Sequence, residues 1–325
     1  MTVSRLRGLA AALVFALALG APRPAPAAGP TIHVGLICGG MTPLLAEVAF
    51  NDGSFQRAGI TVEKDCFTGG PAAVQALVGR SIDVFIGSYE HVLRQRARGL
   101  DVKAYGEIYD GYSYALLAKS SAPLHGLADA KGQTLAVTAP GSLSDTALRM
   151  GLDQAHLNPD RDVTIVAAGA GASMVAALAT SRVAAGMLTE PSIARLTGDG
   201  QYRVVWQPDD AFAGNVIMAS SGWVDANRAP FTTFLRVLGA TRARLTKDPA
   251  AAIAPLSSDF PQVPRAVMLQ AVRHQLTHVP AGLRVSPRGA EAVAAMELRS
   301  GDIHTPIPFT QGVDETLLPH PARGE

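Results

Sequence analysis

The sequence predicts an α/β protein of two similarly built lobes, each a mainly parallel sheet flanked by helices. Three observations carry that expectation. Short apolar runs alternate with helical stretches through the first two-thirds of the chain. A weak internal duplication relates positions 101 residues apart. The length of 325 residues, 48% hydrophobic and 17% charged, allows one or two sizeable cores and excludes a disordered or collagen-like polymer.

The first segment is read as a leader. Arg5 and Arg7 precede an uncharged run from Leu9 to Ala21, followed by Pro22-Arg23-Pro24 and Ala25-Pro26-Ala27. A basic start, an apolar middle and a small-residue site describe a signal peptide cleaved after Ala27. The apolar run is about half the roughly 20 residues that span a bilayer, which opposes the competing reading, an uncleaved anchor. No cysteine stands at the cleavage site to take a lipid. The expectation is an exported soluble protein, periplasmic where the host has an outer membrane, with no membrane insertion after cleavage. Removing residues 1–27 takes away three arginines and no acid, so the formal net charge of +1 becomes −2.

Strands follow near Thr31–Ile37, Ile60–Asp65, Val84–Ile86 and Val102–Glu107, with helices from Leu44 to Ala58 and starting near Pro71 and Tyr89. A second series has strands near Thr134–Val137, Val163–Val166, Ala184–Leu188 and Arg203–Trp206, with helices near Ser144, Ser173 and Pro191. Two extended apolar segments, Tyr114–Ala118 and Val216–Ser220, fit neither series and are expected to cross between lobes. From Pro230 the pattern is helical: Pro230–Lys247, Ala250–Ser258, Pro264–Leu276 and Pro287–Arg299, opened by proline or a Lys-Asp-Pro start. The tail after Gly301 is irregular.

The duplication sets Gly70–Leu77 on Gly171–Leu178, Val84-Phe85-Ile86 on Ala185-Gly186-Met187, and Ser88 on Thr189. It also sets Ile37-Cys38-Gly39-Gly40 on Thr138-Ala139-Pro140-Gly141. Chance alignment of alanine-rich helices competes with it, but the shared order of strand, glycine turn and helix favours two related lobes.

The chain has two cysteines, Cys38 and Cys66, each expected at the end of its strand in one βαβ unit. If those strands are neighbours, both sulfurs lie at one sheet edge. An oxidising compartment favours a disulfide; two separate buried thiols and a metal or reactive site are the alternatives.

Ligands of open α/β sheets bind outside the carboxyl ends of the strands. Those ends carry Cys38 to Thr42, Phe67 to Gly70, Ser88-Tyr89-Glu90, Tyr109-Asp110, Pro140 to Ser144, Gly169 to Ser173 and Thr189-Glu190. Glycines let backbone N–H groups approach a ligand, and helix starts add a positive dipole end. Each could be an ordinary turn; together, on a duplicated frame, they point to a cleft. The loops hold no lysine or arginine. A monoanion would rely on backbone N–H groups and the hydroxyls of Thr42, Ser88, Ser142, Ser144 and Thr189. A ring compound would stack on Phe67, Tyr89 or Tyr109 and donate to Glu190, which could equally be a surface ion-pair partner.

Catalytic signatures are missing: no Gly-x-Ser-x-Gly, Walker loop or His-Glu-x-x-His occurs, and Met174 stands where a dinucleotide fingerprint needs glycine. No cofactor or metal is expected. His274 and His278 share a helix face at metal-ligand spacing, but a solvated face explains them better. Balanced charge and 6% aromatics argue against nucleic acid.

Several segments, in order, resemble the periplasmic solute-binding proteins of nitrate, sulfonate and taurine ABC transporters, relatives of the thiamine-pyrimidine binding proteins. These are Ile32–Leu36, Phe67–Leu77, Ile82–Ser88, Leu127–Val137 and Ala184–Pro191. The resemblance implies a type II periplasmic-binding fold: lobe 1 from residues 28–113 and 217–325, lobe 2 from 114–216, and two extended hinge segments. It implies a non-enzyme, a monomer that closes on a small solute and delivers it to a membrane permease with a cytoplasmic ATPase. Its ligand contacts map onto Gly39, Gly40, Met41 and Thr42, Gly69 and Gly70, Ser88 and Tyr89, Gly141, Ser142 and Ser144, and Thr189 and Glu190. Phe67, Tyr109, Asp110, Gly171 and Asn215 complete the candidate set. Alternatives within this frame are a sensor that presents its ligand to a membrane receptor, and an enzyme like the thiamine-pyrimidine synthases. The latter is cytoplasmic with a cysteine-rich motif, unlike this chain.

Overall fold

The computed structural model describes residues 31–209 and 211–319, so the leader expected over residues 1–27 lies outside the described residues. The chain lays down β1 (Thr31–Ile37), α1 (Leu44–Asn51), α2 (Ser54–Arg57), β2 (Thr61–Phe67), α3 (Gly70–Val78), β3 (Val84–Ser88), α4 (Glu90–Ala97) and β4 (Val102–Asp110). It then crosses to β5 (Ala115–Lys119), β6 (Thr134–Val137), α5 (Leu143–Gln154), β7 (Thr164–Ala167), α6 (Ala172–Ala179), β8 (Ala185–Leu188), α7 (Ser192–Thr197) and β9 (Tyr202–Trp206). It returns through β10 (Ala213–Ser220) to α8 (Ser221–Ala226), α9 (Arg228–Lys247), α10 (Ile253–Leu256), α11 (Arg265–Thr277), α12 (Pro287–Ser300) and α13 (Phe309–Gly312).

Local chemistry sets several boundaries. The stretch expected as one helix from Leu44 to Ala58 is broken at Gly53, whose φ of 74° only glycine adopts readily, giving α1 and α2. The helix expected over Ala250–Ser258 is shorter: Asp248 accepts from the Ala250 N–H to start a 3₁₀ turn, and α10 ends at Leu256. Ser286 caps α12 by accepting from the Gly289 N–H, with Pro287 in the first turn.

The two sheets have matching topologies. The first runs β2-β1-β3-β10-β4 and the second β7-β6-β8-β5-β9. In each, one strand is antiparallel: β10 against β3 and β4, β5 against β8 and β9. The remaining order pairs β1 with β6, β2 with β7, β3 with β8 and β4 with β9, the correspondence that the 101-residue offset predicts.

The segments expected as crossings are not crossings. Tyr114–Ala118 runs into β5, and Val216–Ser220 lies in β10, which is buried along all but its last residue. Their continuous apolar character comes from burial on both faces in mid-sheet. The chain passes between sheets just ahead of each, at 111–114 and after Trp206. Because β10 starts at Ala213, the return to the first sheet comes ahead of the expected 216/217 boundary.

One face of the first sheet packs Val34, Leu36 and Ile86 against α1, α9 and α11. The other side belongs to a core that continues without a break from Phe85 and Val216 to Leu116, Leu135 and Met187 of the second sheet. That shared core sets both sheets' strand ends toward one another. Among the described residues, no helix is long and apolar enough to cross a membrane.

Candidate functional site

The loops after β1, β2, β3, β6, β7 and β8 all leave the carboxyl ends of parallel strands, and they meet face to face. The Met41 N–H donates to the Glu190 carbonyl at 2.7 Å. Gly39 and Gly171 pack backbone to backbone: a Cβ on Gly171 would stand 2.8 Å from the Gly39 Cα. A Cβ on Gly69 would come within 2.6 Å of the Ala139 methyl. Arg94 of α4 donates to the Gly141 carbonyl at 2.9 Å and, through two nitrogens, to Glu297 of α12 at 2.6 and 2.8 Å. The cleft is therefore closed.

Between the loops lies a cavity of about 40 Å³, room for about three waters. Of the candidate residues, Gly39, Gly40, Thr42, Gly70, Ser88, Ser142, Gly171, Thr189 and Asn215 line it. The rest do not. Met41 is fully buried in the core of the first sheet. Phe67 lies over Gly35, where a Cβ would touch its ring at 3.0 Å. Tyr89 is buried with its hydroxyl against Gly312, because α4 turns it away from the loops. Tyr109 stacks on His278 at a centroid distance of 4.7 Å, and Asp110 exchanges hydrogen bonds with the same histidine, its N–H donating to the carbonyl at 2.7 Å. Gly69 sits behind Gly70 at the start of α3, and Gly141 faces a separate groove of about 600 Å³ between α4, α5 and α12.

Glu190 also turns away. Its Oε2 accepts from the Ala194 N–H at 3.0 Å, its Oε1 stands 3.8 Å from the His274 ring, and burial raises its pKa. An amine in the cavity would find no carboxylate there. Ser144 acts from behind: its hydroxyl accepts from the Thr138 N–H at 2.9 Å and pairs with the Thr138 and Ser142 hydroxyls at 3.0 and 2.9 Å, fixing two lining groups.

Ser113 and Tyr114 are lining residues outside the candidate set, and they share with the candidate Asn215 a place at the amino end of a strand. Ser113 and Tyr114 precede β5, and Asn215 lies opposite Ser88 near the start of β10. An antiparallel strand brings its amino end to the edge where its neighbours bring carboxyl ends. His91, at the second position of α4, also reaches the cavity.

The electrostatics are distinctive. Among the described residues, no lysine, arginine, aspartate or glutamate lines the cavity. The starts of α1, α3, α5 and α6 all border it through Thr42, Gly70, Ser142 and Gly171, so four positive dipole ends and their unpaired first-turn N–H groups converge. The Ser88 and Ser113 hydroxyls, at residues 4% and 5% exposed, have no hydrogen-bond partner. Burial, with the Arg94 charge, lowers His91 to about 3, so its imidazole is neutral. Beside it in α4, Glu90 is fully buried with Arg94 3.9 Å from its Oε1, and burial pushes it up to about 8.

Cys38 and Cys66 form a disulfide with Cα atoms 5.3 Å apart, tying the loop after β1 to the end of β2. β1 and β2 are paired neighbours with Leu36 opposite Cys66, which places both sulfurs at one edge. Among the described residues, no cluster of three or more metal-ligating side chains occurs.

A family model described as NMT1/THI5-like matches residues 42–252. The alkanesulfonate-binding protein SsuA from Xanthomonas axonopodis pv. citri, solved bound to MOPS, is similar with a TM-score of 0.69 at 22% identity, over 87% of this chain and 97% of that one. The ligand-binding component of an ABC-type import system from Staphylococcus aureus, with zinc bound, has a TM-score of 0.71 at 14% identity, over 91% of this chain and 100% of that one. The desulfurization enzyme DSZB has a TM-score of 0.63 at 16% identity, over 89% and 97%. At these identities the likeness shows a shared fold, that of periplasmic binding proteins. No curated protein sequence matches the chain.

Proposed function

From the premise that this chain belongs to the NMT1/THI5-like family, we propose that it is the exported solute-binding component of an ABC importer. Its solute is a small monoanion of the sulfonate or nitrate type. The observation that carries the solute class is the convergence of four helix starts and two unpartnered hydroxyls on a cavity lined by no carboxylate. A singly charged oxyanion satisfies those donors. A dianion would lack a fixed countercharge, and an amine would meet the positive ends of helices. The closed cavity suits a three-oxygen head group with few further atoms, so a longer solute requires a wider cleft.

In this reading each sheet with its helices is one lobe, and the lobes part about the two chain crossings to admit solute. The closed form, as a monomer in the periplasm, presents the solute to a permease with its cytoplasmic ATPase. Catalysis by a rim thiol is disfavoured because Cys38 is bonded to Cys66.

A thermal-shift screen tests the solute class. Methanesulfonate and nitrate are expected to raise the melting temperature, since a ligand at about 100 times its Kd adds about 2.7 kcal/mol to stability. Stabilisation by aminopyrimidines or amines alone would overturn the assignment, and turnover of a sulfinate or pyrimidine substrate would move the protein to the enzymes.

A further inference from the structure

We propose that His91 is a proton acceptor for the solute site, so that an oxyanion entering the cleft is bound together with one proton carried on the His91 imidazole. The inference rests on the monoanion reading above and deepens it by naming the group that meets the solute's charge.

His91 is 4% exposed and lines the cavity. Its Nε2 faces Gly70, where a Cβ would collide with it, and its ring lies 6.0 Å from that of Phe85. The α3 and β3 elements packed against the ring bring no charged group. On its own helix stand Glu90 and Arg94, whose side chains approach to 3.9 Å. Arg94 is directed away to Glu297 and to Asp302, the latter at 3.2 Å. Tyr114 lines the same cavity and brings a phenol. These are the titratable and charged groups around the ring.

Their protonation states leave one candidate. Burial pushes Glu90 up to about 8, so it already holds its proton below neutrality. Tyr114, half-buried and pushed up to about 12 by desolvation, keeps its own. The free His91 is neutral because burial penalises its charged form, with the Arg94 charge adding to that penalty. An anion at hydrogen-bond distance reverses the balance: opposite charge favours imidazolium, and a site with little water screens the attraction poorly. The proton comes from solvent onto the free ring nitrogen, and no bond of the solute changes.

The test is calorimetry of the wild-type protein with methanesulfonate, which is ionised at every pH used, in paired buffers of different ionisation enthalpy. The proposal expects uptake of about one proton per anion and an affinity that falls about tenfold per pH unit between about pH 5 and pH 7. H91Q is expected to bind with no proton uptake and a flat profile. Nitrogen-15 spectra of histidine-labelled wild-type protein are expected to show the His91 ring doubly protonated only with the anion bound, a readout independent of any variant. Saturable binding without proton uptake overturns the inference and leaves the monoanion reading intact. Failure of both methanesulfonate and nitrate to bind at any pH overturns the two together.

Discussion

Ser88→Ala removes a hydroxyl on a residue that is 4% exposed, at the end of β3, where it has no hydrogen-bond partner. The methyl that remains fills nearly the same space, so little is lost in packing. Leaving such a hydroxyl dry and unmatched costs about 1–3 kcal/mol. Water in the adjoining cavity recovers part of this, which sets the expected gain in stability of the empty protein near 1 kcal/mol. For a chain of this size that is a rise of roughly 2 °C in Tm. Binding moves the other way. A hydrogen bond to a charged group contributes about 1.5–3 kcal/mol, so methanesulfonate affinity should fall by about 10- to 150-fold. Scanning calorimetry on the empty protein and titration calorimetry with the anion read the two effects separately. Ser113→Ala should behave alike. A lower Tm with unchanged affinity would refute the reasoning, because it would make the hydroxyl a structural group.

Gly171→Ala places a methyl 2.8 Å from the Gly39 backbone, at a φ of 58° that alanine tolerates poorly. The clash exists only while the loops meet, so small-angle scattering should show a more open form and affinity should drop about tenfold or more. Reducing the Cys38–Cys66 disulfide frees a loop whose ends are 28 residues apart and should lower stability by roughly 3–4 kcal/mol; an unchanged Tm under reductant would contradict this. Glu90→Gln addresses a carboxyl raised to about 8 by burial. Stability tied to its protonated form is complete below the ordinary carboxylate range and is lost as the pH rises toward 8. The variant should therefore melt above wild type at pH 8, with the difference shrinking toward pH 5; a constant difference across that range would exclude the linkage.

Much of the architecture was legible because a two-sided, mostly parallel sheet writes itself as short apolar runs between helices. Strands such as Thr31–Ile37 and Thr134–Val137 coincide with their predicted limits. The same signal misled at Val216–Ser220, since a buried antiparallel strand and a buried crossing are both uninterrupted apolar segments. In the site, glycine turns located the loops that border the cavity, but side-chain direction escaped. Tyr89, Glu190 and Tyr109 sit at strand ends and face elsewhere, because helix phase and local partners such as the Ala194 N–H and the His278 ring decide their orientation. His91 and Ser113 were missed for the converse reason. One is the second residue of a helix and the other lies before an antiparallel strand, so neither stands at the carboxyl end of a parallel strand.

The solute site is tested most directly by a crystal structure of the protein grown with saturating methanesulfonate. One sulfonate is expected in the cleft, its oxygens about 3 Å from the Ser88 and Ser113 hydroxyls and from first-turn N–H groups of α3 and α5. A sulfonate bound elsewhere, with the cleft closed and empty, would contradict it.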